Sequence, residues 1–199
     1  MTVPTYQYRT VVTDAPAVEP VTLAEAKLHL RVDGDDENAY ITSLIIAGRE
    51  WAEGFTRRAF INRSVRLSLD EFPTEIKLPF GTTSSVNTLT YTDTDGASQT
   101  LTSGVTYTLD THSEPARIVP YYNTDWPSTR DVPNAVQVTY VVGYGAAATA
   151  VPTSIKQAIL LAVGNWYENR EATISGTIIA EVPLAAQALL TQYRILEFF

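Results

Sequence analysis

The spacing of apolar residues changes twice along this chain, and that switch bounds the folds open to it. Ile41, Leu44, Ile45, Gly48, Trp51, Ala52 and Phe55 follow the 3.6-residue period of a helix with one buried face. In the middle the period is two. Val65, Leu67 and Leu69 alternate with Ser64, Arg66, Ser68 and Asp70, and Leu89 and Tyr91 with Thr88, Thr90 and Thr92. Val105, Tyr107 and Leu109 alternate with Thr106 and Thr108, and Val136, Val138, Tyr140 and Val142 with Gln137 and Thr139. Such alternation predicts antiparallel strands with one face buried and one wet. Twelve threonines between Thr74 and Thr111 agree, because β-branched side chains suit strands. Past Pro152 the helical spacing returns with Ile155, Ala158, Ile159, Ala162 and Trp166. The order helix, helix, β-rich middle, helix, helix predicts an α+β fold, a small helical bundle carrying an inserted antiparallel β-rich lobe. Residues 1–60 are expected to be the N-terminal helical part, 61–145 the lobe, and 146–199 the C-terminal helical part that completes the bundle. Gly143-Tyr144-Gly145-Ala146 reads as the exit from the lobe.

Local signals sharpen the ends of these elements. Thr22 and Glu25 are spaced as a capping box, so a first helix starts there with Leu23, Ala26 and Leu30 on one face and stops at Asp33-Gly34. Asp35, Asp36 and Glu37 place negative charge at the start of the second helix, and Arg57 and Arg58 place positive charge at its end. If it runs from Asp36 to Arg58 it is about 35 Å long. The third helix is apolar nearly all round, since Leu160, Leu161 and Val163 lie off its main face. A helix of that kind is covered on two sides, and in a chain this small the second cover is expected from another subunit. A last helix near Pro183 carries Leu184, Ala188, Leu189, Tyr193 and Leu196.

Composition removes several classes of function. With 14 Lys and Arg against 22 Asp and Glu the 199-residue chain has a formal charge of −8, which makes it a poor clamp for nucleic acid. There is no cysteine, so disulfides and thiolate chemistry are excluded, and two histidines leave little for a metal cluster. No signal peptide is visible in Met1 to Arg9, and the longest apolar run, Ala158 to Val163, is six residues. The expectation is a soluble, globular protein made inside a cell.

Four clusters carry potential chemistry. Asp93-Thr94-Asp95-Gly96 holds part of a calcium-loop pattern, but Tyr91 and Thr102 occupy positions that should ligate, so an ordinary hairpin turn is expected. Asp110, His112 and Glu114 would share a strand face, yet no serine sits in a nucleophile context, so a polar strand end is expected. His29, beside Arg31 at a helix end, reads as a favourable cap charge. Arg57, Arg58, Arg63 and Arg66 form a basic cluster suited to an acidic protein surface, and no phosphate-cradling glycine motif is present. Separately, Asn165-Trp166-Tyr167-Glu168-Asn169-Arg170-Glu171 reads equally as core packing with a charged cap or as an intersubunit anchor.

The stretch from Pro16 through Pro20-Val21-Thr22-Leu23-Ala24-Glu25-Ala26-Lys27 to Asp33 resembles the opening of tailed-phage head–tail connector (adaptor) proteins, a family that includes gene transfer agent adaptors. Glu53-Gly54-Phe55-Thr56-Arg57-Arg58 and the block from Val151-Pro152-Thr153-Ser154-Ile155 to Glu171 fit the same family, so the resemblance spans nearly the whole chain. It implies a non-enzymatic structural protein without cofactor or metal. It further implies a twelve-fold ring under the portal protein, offering a platform to the next tail or stopper component. DNA would pass through the lumen without specific binding, and no membrane is involved. The protein would be made in the bacterial cytoplasm and reside in the virion neck. The interface residues expected on this reading are Trp166, Tyr167, Arg170, Glu171, Tyr193, Phe198, Phe199, Arg57 and Arg58, with residues 172–199 docking on the portal. The rival reading is a carbohydrate- or cell-surface-binding β module on a helical base, motivated by Tyr91, Tyr107, Tyr121, Tyr122 and Trp126. A hydrolase built on Asp110, His112 and Glu114 is a third.

Overall fold

The computed structural model describes residues 9–170 and 184–196. Glu171, Phe198 and Phe199 therefore lie outside the described residues, as does most of the expected portal-docking segment. The chain divides into two units, one of residues 17–61 with 144–194 and one of residues 1–16, 62–143 and 195–199. The fold is α+β, with four helices and antiparallel sheets.

The first unit is helical. Helix α1 spans Leu23–Leu30, α2 Asn38–Thr56, α3 Thr153–Glu168 and α4 Leu184–Thr191. The capping box at the start of α1 is formed: the Glu25 amide donates to Thr22 Oγ1 at 3.2 Å, and the Thr22 amide to Glu25 Oε2 at 2.7 Å. The same carboxylate receives Lys156 Nζ at 2.5 Å, which ties α1 to α3. Lys156 above all, with the Thr22 amide, lowers the Glu25 carboxyl to about 2. Helix α1 stops at Leu30, before Asp33-Gly34, because Arg31 turns into the left-handed region at φ 58. Helix α2 is likewise shorter than its charge pattern suggested. It ends at Thr56, where Arg57 takes φ 58.

Ile41, Ile45 and Ala52 of α2 pack with Ile155, Ala158, Ile159 and Val163 of α3 and Ala186 and Leu190 of α4 in one buried cluster. The closest approach is at Gly48, where a Cβ would stand 3.1 Å from Ile159 Cγ2 and 3.4 Å from Val163 Cγ2. Helix α3 meets α1, α2 and α4, and Leu160 and Leu161 are half-buried against that same core. The second cover expected from another subunit is thus largely supplied by the chain itself. In α4 the buried residues are Ala186 and Leu190, while Leu184, Ala188 and Leu196 are exposed. Nearly every position of this eight-residue helix is apolar, so its spacing carried little information on which side faces inward. The two segments that leave the unit run side by side. The Tyr144 amide donates to the Phe60 carbonyl at 3.1 Å, Ile61 bridges Gly145, and the Phe60 and Tyr144 rings stack at 6.4 Å.

The second unit holds the strands β1 (Arg9–Val12), β2 (Arg63–Leu69), β3 (Ile76–Leu78), β4 (Thr83–Thr92), β5 (Ser98–Leu101), β6 (Tyr107–Asp110), β7 (Ala116–Pro120) and β8 (Val136–Val142). They form a five-stranded sheet in the order β1-β2-β8-β4-β5 and a three-stranded sheet in the order β3-β7-β6, antiparallel throughout. Register follows the alternation: Val65 faces Tyr140, Leu67 faces Val138 and Leu69 faces Val136, all buried. Residues 9–12, expected within the helical part, form the edge strand β1, with Thr10 opposite Leu67 and Val12 opposite Val65. Val105 is exposed, in contrast to the expected inward run. The chain turns there, with the Val105 and Thr106 amides both donating to the Thr102 carbonyl, and β6 starts only at Tyr107.

Replacing Gly48 by leucine forces α2 and α3 apart, and urea unfolding should show a loss of about 1–3 kcal/mol. Unchanged stability would mean that the helices are not in close contact there. Glu25→Gln keeps the capping geometry but removes the charge opposite Lys156. The folded carboxyl titrates at about 2 against an ordinary 4.5, so its contribution is complete above 4.5 and disappears as pH falls toward 2. The melting temperature of the variant should lie below that of the parent at neutral pH, with the gap closing over that acid range.

Candidate interface site

The aromatic block at the end of α3 meets the start and middle of α2. Trp166 stands edge-on to Trp51 at 6.4 Å, and Trp51 lies 6.2 Å from Phe55. Tyr167 lies 6.1 Å from Tyr40, whose hydroxyl donates to the Trp166 carbonyl at 3.4 Å. The Arg170 guanidinium sits 4.6 Å from the centre of the Tyr40 ring and 5.3 Å from that of Tyr167, a cation held over two electron-rich faces. Glu37, the residue before α2, accepts from both the Tyr167 hydroxyl and Arg170, and these two bonds hold its carboxyl below the ordinary range. The helix end therefore packs on its own chain through its inner edges. Trp166 and Tyr167 remain half-buried and Arg170 exposed.

A second cluster closes the other end of α2, and the Arg49–Glu53 pair at its centre escaped the sequence reading. Arg49 is buried, with Nε 2.8 Å from Glu19 Oε2, one terminal nitrogen 3.0 Å from Glu53 Oε2 and the other 3.4 Å from Glu50 Oε1. Glu53 is also buried, and its second oxygen accepts from the Phe60 amide at 2.9 Å. Arg58 is buried as well and its Nε donates to the Tyr193 carbonyl, which fastens the end of α2 to the turn after α4. Of the predicted basic cluster, Arg58 is thus a structural tie and Arg57 a left-handed helix cap, while Arg63 and Arg66 lie on β2. The signal that could have found this network is the i,i+4 pair Arg49–Glu53 on a helix face otherwise read as solvated.

The other candidate chemistries are engaged in local structure. Asp110 accepts from the amides of His112 and Ser113, from the Ser113 hydroxyl at 2.6 Å and from Arg117 Nε at 3.0 Å. These bonds, that of Ser113 foremost, hold its carboxyl well below the ordinary range. It anchors the β6–β7 turn, and His112 is exposed beside it. Asp93 accepts from the Asp95 and Ala97 amides and from Gln99 Nε2, with Gly96 at φ 90 completing a tight turn. Among the described residues no three His, Asp or Glu side chains are grouped to hold a metal, and no helix is long and apolar enough to cross a membrane. The aromatic residues behind the carbohydrate reading are divided. Tyr107 is buried, and Trp126 is stacked at 4.7 Å on Phe72, which Tyr91 meets edge-on at 5.6 Å. Tyr121 and Tyr122 alone of the five are exposed.

A family model described as phage gp6-like head-tail connector protein matches residues 20–115 and 128–194. The chain belongs to that family. The connector is accordingly a structural component of a tailed particle, placed between head and tail. Among solved structures it resembles a chain of the neck of an empty gene transfer agent (GTA) particle computed with C6 symmetry, at TM-score 0.77 and 23% identity over 96% of this chain and 97% of that one. A chain of the virion of a native GTA particle matches at TM-score 0.76, and one of the native GTA neck computed with C12 symmetry at 0.71, each at 23% identity over the same 96% and 97%. The comparison with curated proteins finds no match. At this level of identity the likeness to the GTA chains establishes that the connector shares their fold.

Arg49→Ala leaves Glu53 buried without its cation, and chemical denaturation should register a loss of about 3–5 kcal/mol. A loss below about 1 kcal/mol would mean that the pair is solvated.

Proposed function

We propose that this connector closes into a ring of identical copies at the neck, one face on the portal protein and the other offered to the next tail component. The match of a head–tail connector model across both helical blocks and most of the β-rich unit carries this reading. The GTA chains of the same fold come from necks computed with C6 and C12 symmetry, which supports a ring of twelve. Rotation alone closes such a ring when each copy presents two different, complementary surfaces. Its role is read as structural rather than enzymatic, and two of the carboxylates weighed for catalysis or cation binding, Asp110 and Asp93, are held in turns. The charge of −8 fits a lumen through which DNA slides without sticking. The outer edges of Trp166, Tyr167 and Arg170, together with Tyr193 and Arg57, are the proposed contact residues; Glu171, Phe198 and Phe199, expected with them from the sequence, lie outside the described residues.

The test is removal of the protein from its particle. Electron microscopy should then show DNA-filled heads and separate, complete tails. Particles that still join heads to tails without the connector would overturn the reading.

A further inference from the structure

The five-stranded sheet ends on β1 at one edge and on β5 at the other, and each of these strands is four residues long. Just past β1 the Thr13 amide donates to the Ser64 carbonyl. Bonded and unbonded pairs alternate along an antiparallel ladder, so Arg9 and Val11 also turn their amides and carbonyls to β2, while Thr10 and Val12 turn theirs to the open side. At the other edge the Asp93 amide donates to the Ala97 carbonyl. By the same alternation Gln99 and Leu101 bond β4, while Ser98 and Thr100 face the open side. Among the described residues no backbone bond meets these outward groups. Open edges are usually blunted by a charge, a proline or a bulge. Strand β5 has none of these, being Ser98-Gln99-Thr100-Leu101 with regular pairing to β4, and its first three residues are exposed. Strand β1 carries a charge only at its first residue, Arg9, and leaves Val11 and Val12 51% and 42% exposed.

We infer that β5 of one copy of this chain pairs with β1 of the next, so that neighbouring sheets join into one. Every neighbouring pair from β1 to β5 is antiparallel, and the order β1-β2-β8-β4-β5 therefore leaves the two edge strands running the same way. Copies set side by side bring them together as a parallel pair. With Thr10 opposite Gln99, the Thr10 amide donates to the Ser98 carbonyl and the Thr10 carbonyl accepts from the Thr100 amide. That register keeps each side chain on its own face. Val12, opposite Val65, comes beside Leu101, opposite Leu89, on the face that carries the buried residues of the sheet. Val11 comes beside Thr100 on the wet face. Pairing of β5 with a second β5 about a two-fold axis would stop at two copies, whereas β5 on β1 leaves an unused edge at each end and is completed by closure into a ring. This inference rests on the ring reading and names the surface by which neighbours join.

The chain has no cysteine, so Val11→Cys with Thr100→Cys introduces a single pair for cross-linking in assembled particles. Both side chains are exposed, and the fold should tolerate both changes. A short thiol cross-linker should give a ladder of covalent oligomers larger than a dimer. A band that stops at the dimer, or a dimer formed by Thr100→Cys alone, would show two-fold pairing and overturn the inference. So would a ring seen at the neck with no covalent species. A parent particle whose neck holds no ring of this protein would instead overturn the ring reading itself. Thr100→Pro removes an amide hydrogen that points to the open edge. Melting of the isolated chain should shift little, while tailed particles fall by about tenfold or more. Normal yield from a folded Thr100→Pro chain would sink the contact.

Discussion

The buried cation of Arg49 is the constraint on which the helical unit depends. A guanidinium withdrawn from water is tolerable only when its donors are met. Here they reach Glu19 from the segment before α1, Glu50 one residue along α2, and Glu53 one turn along it. Glu53 in turn holds the Phe60 amide, so the chain leaving α2 is fastened to the helix it has just left. Three stretches of sequence are brought to one point by ionic bonds whose loss would strand a charge.

The same logic appears at the start of α1. Glu25 caps its helix and also holds Lys156 of α3, so the cap that starts the element also positions it. In the β-rich unit the polar ties serve turns instead. Asp93 and Asp110 each accept several amides and side chains, and both had looked like chemistry in the sequence. A carboxylate that accepts several donors from its own turn and the adjoining strand fastens that turn. That supports a structural role, as expected of a head–tail connector.

The elements that were legible are those whose period was strong. The strands β2 and β8 carry strict alternation, and their buried faces are Val65, Leu67, Leu69, Val136, Val138, Tyr140 and Val142. Thr22 and Glu25 announced the start of α1 correctly. What was not legible depended on partners far along the chain. Arg49 and Glu53 drew no reading, and Arg58 read as a helix-end cation open to a partner, because a sequence window cannot show that Glu19, Phe60 and Tyr193 come to meet them. The inward side of α4 was not legible because its apolar residues leave hardly any polar side to contrast with. The apolar excess of α3, which had suggested a neighbouring copy, is largely answered by α1, α2 and α4.

A chain that hides its own core and joins its neighbours through complementary surfaces should be a folded monomer that becomes a ring at the neck. Reconstruction of the neck from intact particles, with no symmetry imposed, counts the copies directly. The account predicts a closed ring of identical connector subunits between head and tail. A single copy, or an open arc with unlike contacts between neighbours, would contradict it.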